Sequence, residues 1–333
     1  NEQLGVEADS CTVSGCYVGT APDGLSAGEN PENSDGLYIR GDYNTVGGPG
    51  AEDRNVLSGN GVDGVKLIVS SHTHVLNNYI GIDAEGAGAV GNYNGIILSS
   101  RSLHNRIGPG NIISGNGVNG ISFQSTESDS NTVFGNYIGT DVAGMSGVPN
   151  GEHGIRLNRC SDNMIGGDEA SDGNVISASG RYGIAMYDDT GGNRIRGNMI
   201  GVAADGETPL GNGWGGIYLT TGAHDNRIGP ENIIAHNEGS GIKLQGEATV
   251  SNLITQNSIY ANIEEGITIF DVNNNVEPPV ITGLGSVTGT APPNSTVEIF
   301  SSDDEEGRTF EAAVTADGGG SFSWAGTPGG PYV

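Results

Sequence analysis

Lysine is nearly missing from this chain. Among 333 residues only Lys66 and Lys243 carry an ammonium group, and 13 lysines and arginines together face 40 aspartates and glutamates. The resulting net charge of −27 repels nucleic acid, whose binding rests on neutralising phosphates, so no nucleic-acid partner is expected. An acidic balance instead suits solubility in high salt, attraction of divalent cations or plain colloidal stability. No apolar run reaches the roughly 18 residues a spanning helix needs, which excludes membrane insertion of that kind within this segment. Cysteine is scarce and odd in number (Cys11, Cys16 and Cys160), an argument against a disulfide framework. No signal peptide is recognisable, and the opening "NEQLGVEAD" starts mid-pattern. The expectation is a piece of a longer secreted chain.

Glycine is what the chain has in excess. It supplies 59 residues, more than twice the average usage of about 7%. There is no G-x-y period, so collagen is excluded. The glycines mark a repeat instead. A Gly-apolar pair recurs at Gly5, Gly36, Gly64, Gly95, Gly120, Gly154, Gly183, Gly216, Gly241 and Gly266, in steps of 25 to 34 residues. A second phrase built on asparagine falls between them: "NVLSGN" at 55, "NRIGPGNIISGN" at 105, "NMIGG" at 163, "NRIRGNMIG" at 193.

Each apolar cluster is too short for a helix, alternates with period two and is bounded by Gly or Asn. That describes strands of three to five residues. One apolar face of such a strand cannot be buried alone, whereas stacked copies bury one another. The pattern predicts an all-β chain: a right-handed parallel β-helix of about ten rungs over residues 1–275, with Ile, Val and Leu pointing inward. Asparagine belongs at the corners, where it tolerates left-handed backbone and its amide can bond to neighbouring rungs. "CTVSGCYVG" at 11–19 repeats "NTVFGNYIG" at 131–139 with both asparagines replaced. Cys11 therefore aligns with Asn131 and Cys16 with Asn136, as small structural residues near one end of the ladder.

The phrases "GNYIGTD" at 135, "NMIGG" at 163 and "NVISASG" at 174 closely resemble the right-handed parallel β-helix repeat proteins of bacterial and archaeal cell surfaces. The resemblance covers roughly residues 5–270. It implies the fold but not the chemistry, since that family includes adhesins, structural surface proteins and carbohydrate-active enzymes. Residues 276–333 lose the Asn phrase and show strands near 280–282, 286–290, 296–301, 308–315 and 320–324. "VTGTAPPNSTVEIF…GSFSW" resembles the small immunoglobulin-like β-sandwich modules of bacterial surface proteins. About seven strands make such a sandwich, so the module reads as incomplete. Two expectations follow: the chain continues into the missing strands, or a strand recruited from a neighbouring subunit completes the module and builds fibres head to tail.

Four loops interrupt alternate steps, at 20–36, 83–95, 141–154 and 202–216. They carry Asp23, Asp83, Glu85, Asp141, Glu152, Asp205 and Glu207, and also Tyr93, His153 and Trp214 just ahead of the next strand. Two readings stand side by side. Rings flanked by carboxylates can hold a polysaccharide or calcium. Alternatively the loops are hydrophilic corners, with Tyr93 and Trp214 covering the end of the core.

Catalytic constellations are poorly supported. The galacturonan-hydrolase order N-T-D, D-D, G-H-G, R-I-K is not kept: the fragments are "GTD" at 139, "EHG" at 152, "DD" at 188 and "RIR" at 194. Asp188 and Asp189, with Arg181 and Tyr187, form the best isolated cluster. The run Asp303-Asp304-Glu305-Glu306 is a candidate calcium site or a solvated hairpin tip. The leading expectation is a non-enzymatic structural or adhesive protein, extracellular or at the cell surface, with fibre formation through self-association. The rivals are a polysaccharide lyase or hydrolase, and a module that holds glycan on Tyr93, His153 and Trp214 without cleaving it.

Overall fold

The computed structural model describes residues 4–29, 34–271, 279–283, 286–304, 306–331 and 333. Short strands arrange themselves in three long parallel sheets. Sheet A has ten strands, from Leu4–Val6 to Ile267–Phe270; sheets B and C have nine each, ending at Leu253–Ile254 and Ser258–Tyr260. The chain visits A, B and C in turn and then advances by one rung, giving a right-handed parallel β-helix. Every Gly-apolar phrase lies in or beside a strand of sheet A, so the ten phrases correspond to its ten strands. Rungs are numbered here 1 to 10 by their sheet A strand.

Period-two alternation fills the interior. Ile96 and Leu98 point inward and are fully buried, and successive rungs stack Leu37, Val65, Ile96, Ile121 and Ile155 in one aliphatic file. At the corners, three files of buried asparagine run along the rod. In each, the backbone N–H and Nδ2 of one residue donate to Oδ1 of the residue one rung later, as Asn136 does to Asn174 at 3.0 and 2.9 Å. Cys11 and Cys16 occupy the first places of two files, their N–H groups donating to Asn44 and Asn55. All three cysteines are free. Glycine is obligatory where the turn after sheet C presses on the next rung: a Cβ at Gly81 (φ +84°) would lie 2.2 Å from Asn116 Oδ1.

Loops on alternate rungs are expected about 10 Å apart. They instead arch over the intervening rung and bond to each other, Val142 N–H to Gly86 O at 2.8 Å and Ala204 N–H to Gly144 O at 2.9 Å. Their aspartates serve the loops themselves. Asp83 accepts from Glu85, Ala87 and Gly88, Asp141 from Met145 and Ser146, Asp205 from Glu207 and Thr208.

Beyond the solenoid lie two small antiparallel sheets. One holds Val280–Gly283, Val287–Thr290 and Ser321–Trp324; the other holds Thr296–Ser301 and Thr309–Thr315. These are the five strands the sequence pattern marks out. The boundary drawn at 275 and 276 falls outside the described residues.

Candidate functional site

Outside sheet A, alternation turns polar and aromatic residues toward solvent. One outward column carries His153 and Tyr182 and the next carries Arg156, Ala185 and Tyr218. A third carries Gln124, Asn158 and Tyr187. Just ahead of the strands a further column joins Tyr93, Val118, Glu152, Arg181 and Trp214, each bonded to the last by an N–H···O contact of 2.6 to 2.8 Å. The columns converge on a depression of about 350 Å³ whose lining includes Tyr93, Glu152, His153, Arg156, Arg181 and Tyr187.

His153 forms its floor, 2% exposed. Burial, then the charges of Arg181 and Arg156, push its pKa down to about 4, so the ring is neutral near pH 7. Its Nδ1 accepts the Tyr182 N–H at 3.4 Å, which places the ring proton on Nε2, 3.3 Å from Tyr187 Oη. The Tyr187 oxygen then accepts from His153 and its own O–H is left to donate outward. Burial and the neighbouring Tyr218 raise the Tyr187 pKa, with Arg156 and Arg181 pulling the other way. The hydroxyl is protonated.

Cation and ring alternate around the rim. Arg181 pairs with Glu152 at 3.0 Å and lies 4.7 Å from the Trp214 ring centre. Arg156 lies 5.3 Å from the Tyr187 ring and makes no ion pair among the described residues. Tyr182 stacks on Tyr218 at 4.6 Å and meets Trp214 edge-on at 5.9 Å. Asn119, also in the lining, keeps a buried Oδ1 with no hydrogen-bond partner. The site therefore offers two guanidinium groups and an O–H donor.

Tyr93 and Trp214 are 57% and 53% exposed, so they do not cover the core. Tyr93, His153 and Arg181 meet at one depression, with Trp214 joined through Arg181. Asp188 and Asp189 do not join them. Both sit at the next corner in left-handed conformation (φ 51° and 57°), and their N–H groups bond to Thr221. The strand ends at Tyr187, and the turn that follows carries both carboxylates out of the lining of the depression. Arg156 is the addition from the structure, and Tyr187, which stands beside the two aspartates in the sequence, belongs to this depression instead. Their signal in the sequence is their place one and three residues after the inward Ile155 and Ile184 of their own strands.

The acidic run at 303–306 is engaged with the last rung. Asp304 accepts from Ala261 N–H at 2.8 Å; Glu306 accepts from Asn262 N–H and Nδ2 at 3.1 and 3.0 Å. Those carboxylates already satisfy protein donors, whereas the calcium reading needs them turned toward an ion. Glu305 lies outside the described residues. Among the described residues no three His, Cys, Asp or Glu side chains are grouped to hold a metal.

No family model matches the chain, and no curated protein matches it. Several solved structures share the fold. A mutant of the periplasmic alginate epimerase AlgG aligns at 17% identity and TM-score 0.49 over 71% of this chain and 49% of its own. The A-module of the Azotobacter vinelandii mannuronan C-5 epimerase AlgE6 aligns at 17% identity and TM-score 0.48, over 77% and 73%. An alginate lyase from Paenibacillus sp. str. FPU-7 aligns at 14% identity and TM-score 0.40, over 79% and 99%. This chain spans about half the length of the first of these. The likeness is one of fold.

Proposed function

We propose that the chain binds an anionic polysaccharide on the outer face of sheet A, at the depression over His153. The observation that carries this reading is Arg156. It is a guanidinium without a carboxylate partner among the described residues on a chain of net charge −27, set beside the outward O–H of Tyr187 and 5.3 Å from its ring. Guanidinium and carboxylate match in geometry and charge, and rings such as Tyr93 and Trp214 present apolar faces to a sugar. Glycan capture without turnover is also what an adhesive protein outside the cell requires. It joins two of the sequence readings.

Binding is favoured over turnover by the protons. A general base needs an accessible lone pair. His153 Nδ1 is occupied by the Tyr182 N–H, its Nε2 carries the proton, Tyr187 is held neutral, and the Glu152 carboxylate is paired with Arg181. A lyase or epimerase reading keeps one support, the Tyr187–His153 contact itself, which would relay a proton once a carboxylated sugar sat on Arg156. Head-to-tail assembly gains nothing from this site, and part of the C-terminal end is occupied by Glu298, Asp304 and Glu306.

Calorimetric titration against acidic and neutral polysaccharides tests the proposal. Acidic glycans should bind, weakening with salt, and Arg156→Ala should lower affinity about tenfold. Equal binding of neutral glycans, or an unaffected variant, would overturn it. Release of unsaturated product, or exchange of a ring proton in deuterated water, would turn the reading into an enzymatic one.

A further inference from the structure

Three cations stand at equal intervals on the outer face of sheet A. Strand register links Lys66 to Arg156 through Ile97 and Ser122, and Arg156 to Lys243 through Ala185 and Tyr218. Each interval is three rungs, about 14 Å at the spacing of neighbouring strands. Both lysines of the chain fall in this one column.

Their surroundings differ. Lys66 lies 3.4 Å from Asp35 and 3.9 Å from Asp63 and is neutralised there. Arg156 and Lys243 make no ion pair among the described residues. Between them Ala185 keeps the face low. Tyr218 donates its O–H to Gln245 Oε1 at 2.9 Å, which fixes that amide so that its NH2 group, two residues from Lys243, is left to donate.

Resting on the anionic-glycan reading above, we propose that the ligand is a linear polyanion lying along the solenoid axis, one sugar residue per rung. A charged group of one residue meets Arg156, and that of the third residue beyond meets Lys243. With neighbouring strands about 4.8 Å apart, one sugar residue per rung keeps the two frameworks in step. The arrangement selects a polymer whose charged side returns every third residue, and it makes four residues the shortest ligand to use both cations. The carboxylates of Asp35 and Asp63 bar an anion from continuing past rung 3.

Titration of the full chain with oligosaccharides of increasing length, in a uronate and a sulfated series, tests the register. Dimers and trimers should bind weakly, with a step of about tenfold at the tetramer and little gain beyond. Lys243→Ala should erase the step and leave dimer and trimer affinities unchanged; Arg156→Ala should lower affinity at every length. A step confined to the uronates assigns carboxylate as the recognised group, and one confined to the other series assigns sulfate; either supports the register. Affinity rising smoothly with length, or a step that survives Lys243→Ala, overturns the register and leaves the glycan reading standing. No binding at any length in either series overturns that reading, and this one with it.

Discussion

Asp63 and His153 lie in the same outward column of sheet A and titrate in opposite senses. Burial, aided by the charge of Asp35, raises Asp63 to about 6, against the lowering pull of Asn94 and Lys66. The folded state holds this proton more tightly than the unfolded chain does, so through Asp63 the fold gains stability as pH falls through 6. His153, lowered from 6.5 to about 4, refuses a proton that the unfolded chain accepts. Its contribution is fully present above pH 6.5 and is lost as pH falls toward 4. Melting temperatures across this range should separate the two. Relative to wild type, Asp63→Asn should lose ground on acidification and His153→Gln should gain it. Variants that track wild type at every pH would show that neither group is perturbed. Cys160 takes no part: burial pushes its thiol up to about 12, so it is inert near neutrality.

The asparagine file is the element in which sequence and energetics meet most directly. A buried amide with no partner costs about 1–3 kcal/mol, and the files avoid that cost by passing each Oδ1 to the two donors of the previous rung. Thr73 breaks one of them. It accepts nothing from Asn44, whose Nδ2 is buried without a partner, although its own N–H still donates to Asn105. Thr73→Asn should restore the link and stabilise the protein by about 1 kcal/mol. Ser70, which loses its contact with Thr73, keeps its bond to Gly41 O at 2.8 Å. Unchanged or lower stability in denaturant melts would mean that the corner cannot hold an amide. These files and the ten strands of sheet A are legible in the sequence because inward aliphatics and corner asparagines must recur once per rung. The places of Cys11 and Cys16 follow from the same alignment. The site is far less legible. His153 and Arg156 share one rung while Tyr187, Tyr218 and Lys243 lie on the next three in turn, and only strand register shows that they share a face. Asp188 and Asp189 attract notice as a pair in the sequence, yet the corner that follows Tyr187 directs them elsewhere.

At the scale of the molecule, the files give the solenoid a polarity. Since an amide of these files donates to the next rung wherever an asparagine follows it, the C-terminal end is left with unpaired donors, and acceptors must come from outside the repeat. The small antiparallel sheets supply them. Glu306 takes the place of the next asparagine by accepting both donors of Asn262, Asp304 accepts from Ala261, and Glu298 accepts from Thr255 and Gln256. Gly307 pairs with Ile259 on the last strand of sheet C. An acidic run that looks like a cation site in the sequence thus acts as the end cap of a hydrogen-bonded column, a role visible only once the direction of the ladder is known. The strands of each rung pair only with those of its neighbours, so loss of the cap should be felt locally. Glu306→Ala should speed amide exchange across 255–262 by a factor of ten or more, for about 1–3 kcal/mol of unpaired donors, while rungs 3 to 7 keep their protection. Faster exchange spread evenly along the rod would show that the solenoid opens as one unit and that its end is not a separate weak point.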